Sequence, residues 1–358
     1  MAVRLLDLEG SPYDIGYQHG RELQEAIQEL CEERLRLLRT PCGAEVELDL
    51  EDVLEIGRQS WVWHEEYDPD LTRELLGIAD GAEVDPIELL LMNGYTDFID
   101  IAQKLVSGQD ECTAFWVGRD VAQGNMAYVG QTWDMDVSAC PYVVALRLWP
   151  EEGPAALLLS VSGCLGLAGI NEAGVAVVIN NLTPRDARPG VNFVFLVRKA
   201  LKQVNLEGAV RSLVDVNRLS GHNYLVADSS GRAVNVETSA TEVSVTLLQK
   251  GSYVHTNHYL SQKLCALERQ QGADEDSPSK ARRRRMQALL ADRSSPLDPV
   301  ALQVFLADHG TGADAICRHA SSPSDSATCG AAIMSPQEGK MWVAQGNPCL
   351  SGYELLQL

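Results

Sequence analysis

Asp110-Glu111-Cys112-Thr113-Ala114-Phe115-Trp116 is the stretch on which the reading of this chain turns, because two structural textures meet there. Helix-forming residues precede it, and short β-branched and aromatic runs bounded by turn residues follow. A thiol at such a junction suits a nucleophile freed by cutting the chain on its own amino side.

Upstream, Ile15, Leu23, Ile27, Leu30 and Leu35 recur at roughly helical spacing between Ser11 and Arg39, and proline occurs there only at Pro12. One amphipathic helix is predicted over that span. Further helices are predicted near Glu51 to Glu66, Pro69 to Ala82 and Asp85 to Asn93, with Asp-Pro pairs supplying the cap and first turn of the last two. Downstream, strands are predicted at Thr113 to Val117, Met126 to Val129, Tyr142 to Leu148 and Ala156 to Val161, then as a pair joined by the Asn171-Glu172-Ala173-Gly174 turn. Helices follow near Phe193 to Gln203 and Leu206 to Leu213, then strands at Asn223 to Ala227, Ala233 to Glu237 and Glu242 to Leu248. The stretch Ser261 to Leu306 returns to helix around a polar loop at Gly272 to Ser279, before final strands at Ala331 to Met334, Met341 to Ala344 and Tyr353 to Leu356. Alternating sheet and helix blocks predict a layered α+β fold.

Composition narrows the function. At 358 residues and 45% hydrophobic content the chain can fill a sizeable core. A formal charge of -21 opposes attraction to nucleic acid or anionic membranes. Acids interrupt Met1 to Glu9 before a secretory signal can develop, and no run is long and apolar enough for a membrane span. Nine scattered cysteines without a Cys-x-x-Cys pair predict reduced thiols in a cytoplasmic protein, most of them buried as small apolar groups.

Several chemistries lack their motifs: there is no dinucleotide fingerprint, P-loop or Gly-x-Ser-x-Gly elbow. His255/His258 and His309/Cys317/His319 lie close in sequence but complete no zinc pattern, so neither a metal nor a cofactor is expected. The run Arg282 to Arg285 reads as a solvated helix start. Cysteine catalysis remains. Its usual form pairs the thiol with a histidine, for which His222, His255 and His258 are candidates. A cysteine freed at a new N-terminus instead carries its own base, an α-amine with a pKa near 8.

An ordered set of motifs accompanies Cys112: Gly16-Tyr17-Gln18-His19-Gly20, Gly130-Gln131-Thr132-Trp133-Asp134, Gly169-Ile170-Asn171-Glu172-Ala173-Gly174, Asn180-Asn181, His222 to Asp228, His255-Thr256-Asn257-His258-Tyr259 and Gly346-Asn347-Pro348. In this order they resemble the isopenicillin N acyltransferase-like family of N-terminal nucleophile (Ntn) hydrolases. The resemblance implies a four-layer αββα sandwich with two stacked antiparallel sheets. It also implies self-cleavage between Glu111 and Cys112. The products are a helical fragment, 1–111, and a sheet-rich catalytic fragment, 112–358, docked as one domain. Carried over, Cys112 is the nucleophile, Asp134 the carboxylate beside the new α-ammonium, and Asn257 the oxyanion donor. Local roles stay open to two of these, Asp134 as a turn acceptor and Asn257 as a helix cap.

The chain departs from the family pattern at Ser324 to Thr328, where a catalytic arginine is expected; Arg318 is near but unassigned. Glu111 also stands where glycine is expected before the cut. The implied enzyme is a thiol amidohydrolase or acyltransferase acting on a small N-acyl or peptide-like amide, with substrate-binding residues unassigned. A self-cleaved binding protein and an uncleaved cysteine–histidine hydrolase are the alternatives.

Overall fold

In the computed structural model, which describes residues 2–39, 48–102, 112–269, 277–292, 297–312, 314–322 and 325–358, the strand-forming runs assemble into two sheets. The larger has the order β1 (Arg4–Gly10), β4 (Val143–Pro150), β5 (Ala156–Val161), β6 (Ala168–Asn171), β7 (Ala176–Leu182), β8 (Gly221–Ala227), β9 (Ala233–Thr238) and β10 (Val243–Leu248). The smaller has the order β11 (Ser252–His255), β2 (Ala114–Val117), β3 (Tyr128–Asp136), β12 (Ser326–Ser335), β13 (Lys340–Gln345) and β14 (Glu354–Gln357).

Helices cover the outer faces. α1 (Pro12–Glu22), α2 (Gln24–Arg39), α3 (Leu50–Tyr67), α4 (Pro69–Ala82), α5 (Pro86–Asn93), α6 (Tyr95–Ala102), α7 (Phe193–Leu201) and α8 (Leu206–Val214) share a core with the larger sheet. After the short α9 (Gln262–Cys265), α10 (Pro278–Ala291) and α11 (Pro299–Leu306) pack Met286, Leu290, Leu302 and Leu306 onto the smaller sheet. Side-chain alternation divides the smaller sheet between two cores. Phe115, Val117, Ala331 and Ile333 face α10 and α11, while Ala114, Trp116, Ala332 and Met334 face the larger sheet. The result is the four-layer αββα sandwich.

Two local features depart from the sequence reading. Arg4–Gly10 is a strand rather than part of a helical segment, and it joins the sheet edge parallel to β4, whereas the other pairings among the described strands are antiparallel. Leu6 and Leu8 point inward there around Asp7, an alternation too short to stand out. The predicted first helix is in fact α1 and α2, broken at Leu23. α1 lies against α4 through opposed glycines: a Cβ on Gly16 would lie 2.0 Å from the Glu74 carbonyl oxygen, and one on Gly77 2.3 Å from that of Tyr13. α2 packs chiefly on α5 and also touches α4 and α6, a different set of neighbours from that of α1. Most of the polar loop predicted at Gly272 to Ser279 lies outside the described residues; Ser277 caps α10.

Buried polar groups fasten the helical layer to the rest. The Arg198 guanidinium donates to both oxygens of Glu74 at 2.6 and 2.8 Å. His19 accepts the Gly163 N–H at Nε2, 3.0 Å away, and His64 accepts that of Asn192 at 3.0 Å. Burial, with the nearby Arg198 charge, lowers the His19 pKa to about 3. The ring is therefore neutral and able to accept.

Substituting Gly16→Ala should lower stability by about 1–3 kcal/mol because backbone atoms of α4 have to move. Gly352→Ala, with open space around it, should change stability by less than about 0.5 kcal/mol. Urea-unfolding midpoints compare the two, and an unchanged Gly16→Ala midpoint would show that the helices separate freely. For His19, the depressed folded pKa means that its contribution is complete above the unfolded value of about 6.5 and is lost as pH falls toward about 3. Moving from pH 7 to pH 5 should cost about 2 kcal/mol through this residue. His19→Gln should show a correspondingly shallower acid loss in urea titrations at the two pH values.

Candidate active site

β2 begins just beyond Cys112, and its neighbours decide what the thiol meets. Ala114 pairs with Gln131 of β3 on one side and His255 of β11 on the other. The β3 pairing continues at Thr113, whose carbonyl accepts from Thr132 N–H at 3.0 Å and whose N–H donates to the Thr132 hydroxyl at 3.1 Å. One step further, the Asp134 N–H points at Cys112 Sγ, 3.4 Å away. On the other side the chain leaves β11 at His255 and passes through Thr256 to Asn257. Cys112, Asp134 and Asn257 thus emerge at the same end of adjacent strands.

Asp134 is wholly buried inside β3, so it is not a turn acceptor. Its Oδ1 accepts from the Thr328 hydroxyl at 2.8 Å. Thr328 lies opposite it on β12, beside a register shift between Thr328 and Gly330. The same hydroxyl accepts from Arg318 N–H at 2.9 Å, and Thr328 N–H donates back to the Arg318 carbonyl at 3.0 Å. Asn257 is likewise no helix cap, since Ser261 occupies that position for α9.

The basic run requires a correction. Arg282 is fully buried, because helical periodicity places it with Met286 and Leu290 on the inward face of α10. Its Nη1 donates to the Cys112 carbonyl at 3.0 Å and the Thr113 hydroxyl at 3.1 Å, and its Nη2 to Asn257 Oδ1 at 3.2 Å. Arg283 and Arg285 diverge, one to the Val254 carbonyl at 3.1 Å and the other to Asp308 at 2.7 Å. The spacing Arg282, Met286, Leu290 was the available signal in the sequence.

The larger sheet contributes amides. Asn180 donates to the Cys112 carbonyl at 3.1 Å and accepts at Oδ1 from Asn223 at 3.2 Å. Asn257 Nδ2 donates to the Asn181 carbonyl at 3.1 Å. A guanidinium only donates, so Arg282 fixes the Asn257 amide with its oxygen toward the arginine and its NH2 turned away. That NH2 carries a second hydrogen available to another acceptor.

The candidate histidine bases have other partners. His222 Nδ1 lies 3.3 Å from Asp97, and its ring stacks on Phe193 with centroids 4.4 Å apart. Burial pushes its pKa down to about 3 and that of Asp97 well above the usual carboxylate range. His255 bridges the Thr256 carbonyl at 2.6 Å and Glu237 at 3.1 Å. His258 meets the Ser279 hydroxyl at 2.8 Å, and burial lowers its pKa to about 3. Glu111 lies outside the described residues. A cleft of about 500 Å³ beside Trp63 and Tyr67 and another of about 290 Å³ beside Ile15 and Leu71 are lined by none of these site residues.

The family model for acyl-coenzyme A:6-aminopenicillanic acid acyl-transferase matches residues 121–349, a span that includes Asp134, Asn257 and Arg282 and begins after Cys112. Over 291 residues the chain is 28% identical to the 40 kDa form of acyl-coenzyme A:6-aminopenicillanic-acid-acyltransferase from Emericella nidulans, covering 79% of this chain and 76% of that protein. Among solved structures, penicillin V acylase from Agrobacterium tumefaciens matches with a TM-score of 0.47 at 14% identity, over 69% of this chain and 86% of that one. The C2A mutant of conjugated bile acid hydrolase from Clostridium perfringens matches with a TM-score of 0.44 at 11% identity, over 69% and 97% of the respective chains. The span of the family match shows that the chain belongs to the acyl-coenzyme A:6-aminopenicillanic acid acyl-transferase family and is an enzyme acting on carbon–nitrogen amide bonds.

Proposed function

We propose that this protein is made as a precursor, cuts itself between Glu111 and Cys112, and then works as a thiol amidohydrolase or acyltransferase on a small N-acyl or peptide-like amide. The observation that carries the reading is the convergence of Cys112, Asp134 and Asn257 at one end of adjacent strands, with Arg282 behind them. In maturation the Cys112 thiol attacks the Glu111 carbonyl. The acyl group shifts from nitrogen to sulfur, and water hydrolyses the thioester to leave a Glu111 carboxylate, a free thiol and a new α-amine.

In turnover that α-amine takes the thiol proton as sulfur attacks the substrate carbonyl, and Asp134 holds the resulting ammonium in place. Asn257 donates to the tetrahedral oxyanion, an interaction contributing roughly 3–4 kcal/mol when the donor is preorganised. The ammonium then protonates the departing nitrogen. Water or an acceptor amine resolves the acyl-enzyme. The partners already committed to His222, His255 and His258 favour this route over a cysteine–histidine pair.

Fragments 1–111 and 112–358 stay docked on this reading. β1 is held in the larger sheet, and the Glu74–Arg198 pair and the His19–Gly163 contact cross the cut. The eight described cysteines are free thiols, in keeping with a reducing cytoplasm, and no helix among the described residues is long and apolar enough to cross a membrane.

Denaturing mass spectrometry of the wild type should show two chains meeting at Glu111/Cys112, the larger beginning Cys-Thr-Ala-Phe, and Cys112→Ala should stay whole. A stable single chain that still releases amines from N-acyl amino acids, acyl amines or β-alanyl amides would overturn the maturation step.

In cleaved protein, Asn257→Ala should lower turnover roughly 100-fold or more while a small electrophile still alkylates Cys112. Arg282→Lys keeps the charge but loses the planar fork that orients Asn257. It should lower kcat with little change in KM. Near-normal turnover in a folded, cleaved Asn257→Ala protein would remove that residue from the mechanism.

A further inference from the structure

His309, Cys317, His319 and Cys349 are not used by the acyl chemistry, yet their donor atoms all lie within 4.8 Å of one another. Cys317 Sγ and Cys349 Sγ are 3.5 Å apart, and His319 Nε2 is 3.9 Å from the first and 3.2 Å from the second. His309 Nε2 lies 3.0 Å from His319 Nε2. A tetrahedral zinc ion with bonds of about 2.3 Å to sulfur and about 2.05 Å to nitrogen sets sulfur–sulfur, sulfur–nitrogen and nitrogen–nitrogen edges of about 3.8, 3.6 and 3.3 Å. The four separations that link Cys317, Cys349 and His319 to one another and His309 to His319 agree with these to within about 0.4 Å, and His309 lies within 4.8 Å of both sulfurs, a span that a rotation of its exposed ring can shorten.

The donor chemistry is equally selective. Two thiols and two imidazoles suit zinc and disfavour magnesium or calcium, which prefer oxygen ligands. The ligands come from a loop before β12 and from the turn after β13, which Gly346 enters with φ +77. Asn347 on that turn supports the cluster from outside, its amide lying 3.7 Å from Cys317 Sγ and bonding the Arg318 carbonyl. Such outer contacts orient metal ligands.

We propose that His309, Cys317, His319 and Cys349 form a structural zinc site that clips the loop before β12 to the turn after β13. Four protein ligands close the tetrahedron and leave no position for substrate. Arg318 sits between two of the ligands, and its backbone pairs with Thr328, the partner of Asp134. The clip therefore steadies the strand that flanks the active site without entering the reaction. Binding releases the protons of both thiols.

The test uses the full-length protein, reduced, stripped with a chelator and titrated with cobalt(II) as a visible stand-in for zinc. One equivalent should give the intense visible bands of tetrahedral cobalt together with thiolate-to-metal charge transfer, and zinc should displace it. Cys349→Ser and His309→Ala should each weaken binding at least about tenfold. Chelation should lower the thermal midpoint of the wild type but not that of Cys349→Ser. The proposal fails if cobalt gives only the weak spectrum of six-coordinate ions. It fails equally if Cys349→Ser keeps the wild-type spectrum, or if non-reducing mass spectrometry of the native protein finds Cys317 and Cys349 joined as a disulfide. These readouts concern metal and not turnover, so they are independent of the acyl chemistry.

Discussion

The antiparallel register between β2 and β3 is the constraint on which the site depends. Ala114 opposite Gln131 carries Cys112, two residues earlier, alongside the end of β3, where its sulfur meets the Asp134 N–H. Hydrophobic alternation enforces this register. A slip by one residue would turn Phe115 and Val117 toward the larger sheet and Ala114 and Trp116 toward α10, mismatching both cores. The position of the thiol is thus set by side chains that take no part in chemistry.

A second constraint is the charge of Arg282, buried where sheet and helix meet. A guanidinium does not give up its proton, so it needs acceptors wherever it is buried. It finds them in the Cys112 carbonyl, the Thr113 hydroxyl and Asn257 Oδ1. A hydrogen bond to a charged group contributes about 1.5–3 kcal/mol, so each of these contacts helps to hold the others in place. The same bonds fix the Cys112 backbone and choose which end of the Asn257 amide faces away from the arginine. Thr328 plays the matching part at Asp134, linking it through Arg318 to the proposed metal clip.

The helical layer relies on neutral buried groups and close backbone contact. His19 and His64 accept loop N–H groups, a role open only to uncharged rings, and burial lowers their pKa values to about 3 and about 4. The opposed glycines of α1 and α4 let backbone meet backbone, which aligns His19 with Gly163. The motif Gly16-Tyr17-Gln18-His19-Gly20 therefore belongs to the scaffold. Asn171 does too: its amide holds the Leu201 and Gln203 carbonyls and its oxygen accepts Val175 N–H.

Local signals made much of this legible in advance. Asp68 and Asp85 cap α4 and α5 ahead of Pro69 and Pro86, the turn at Gly174 has φ +79, and β5 runs from Ala156 to Val161 as its apolar pattern implies. Cys112, Asp134 and Asn257 could be nominated as candidates because each lies in a short motif whose order along the chain is itself informative. Caps, turns and periodicity are properties of neighbouring residues, so they can be read from the chain alone. The burial of Arg282, the pairing of Thr328 with Asp134, the parallel edge strand and the meeting of Cys349 with His309, Cys317 and His319 are different in kind. Each joins residues far apart in sequence, through strand pairing within a sheet or through packing of loops and helices onto it. Only the tertiary structure decided them, because which distant groups meet depends on how the sheets stack and which helix covers them.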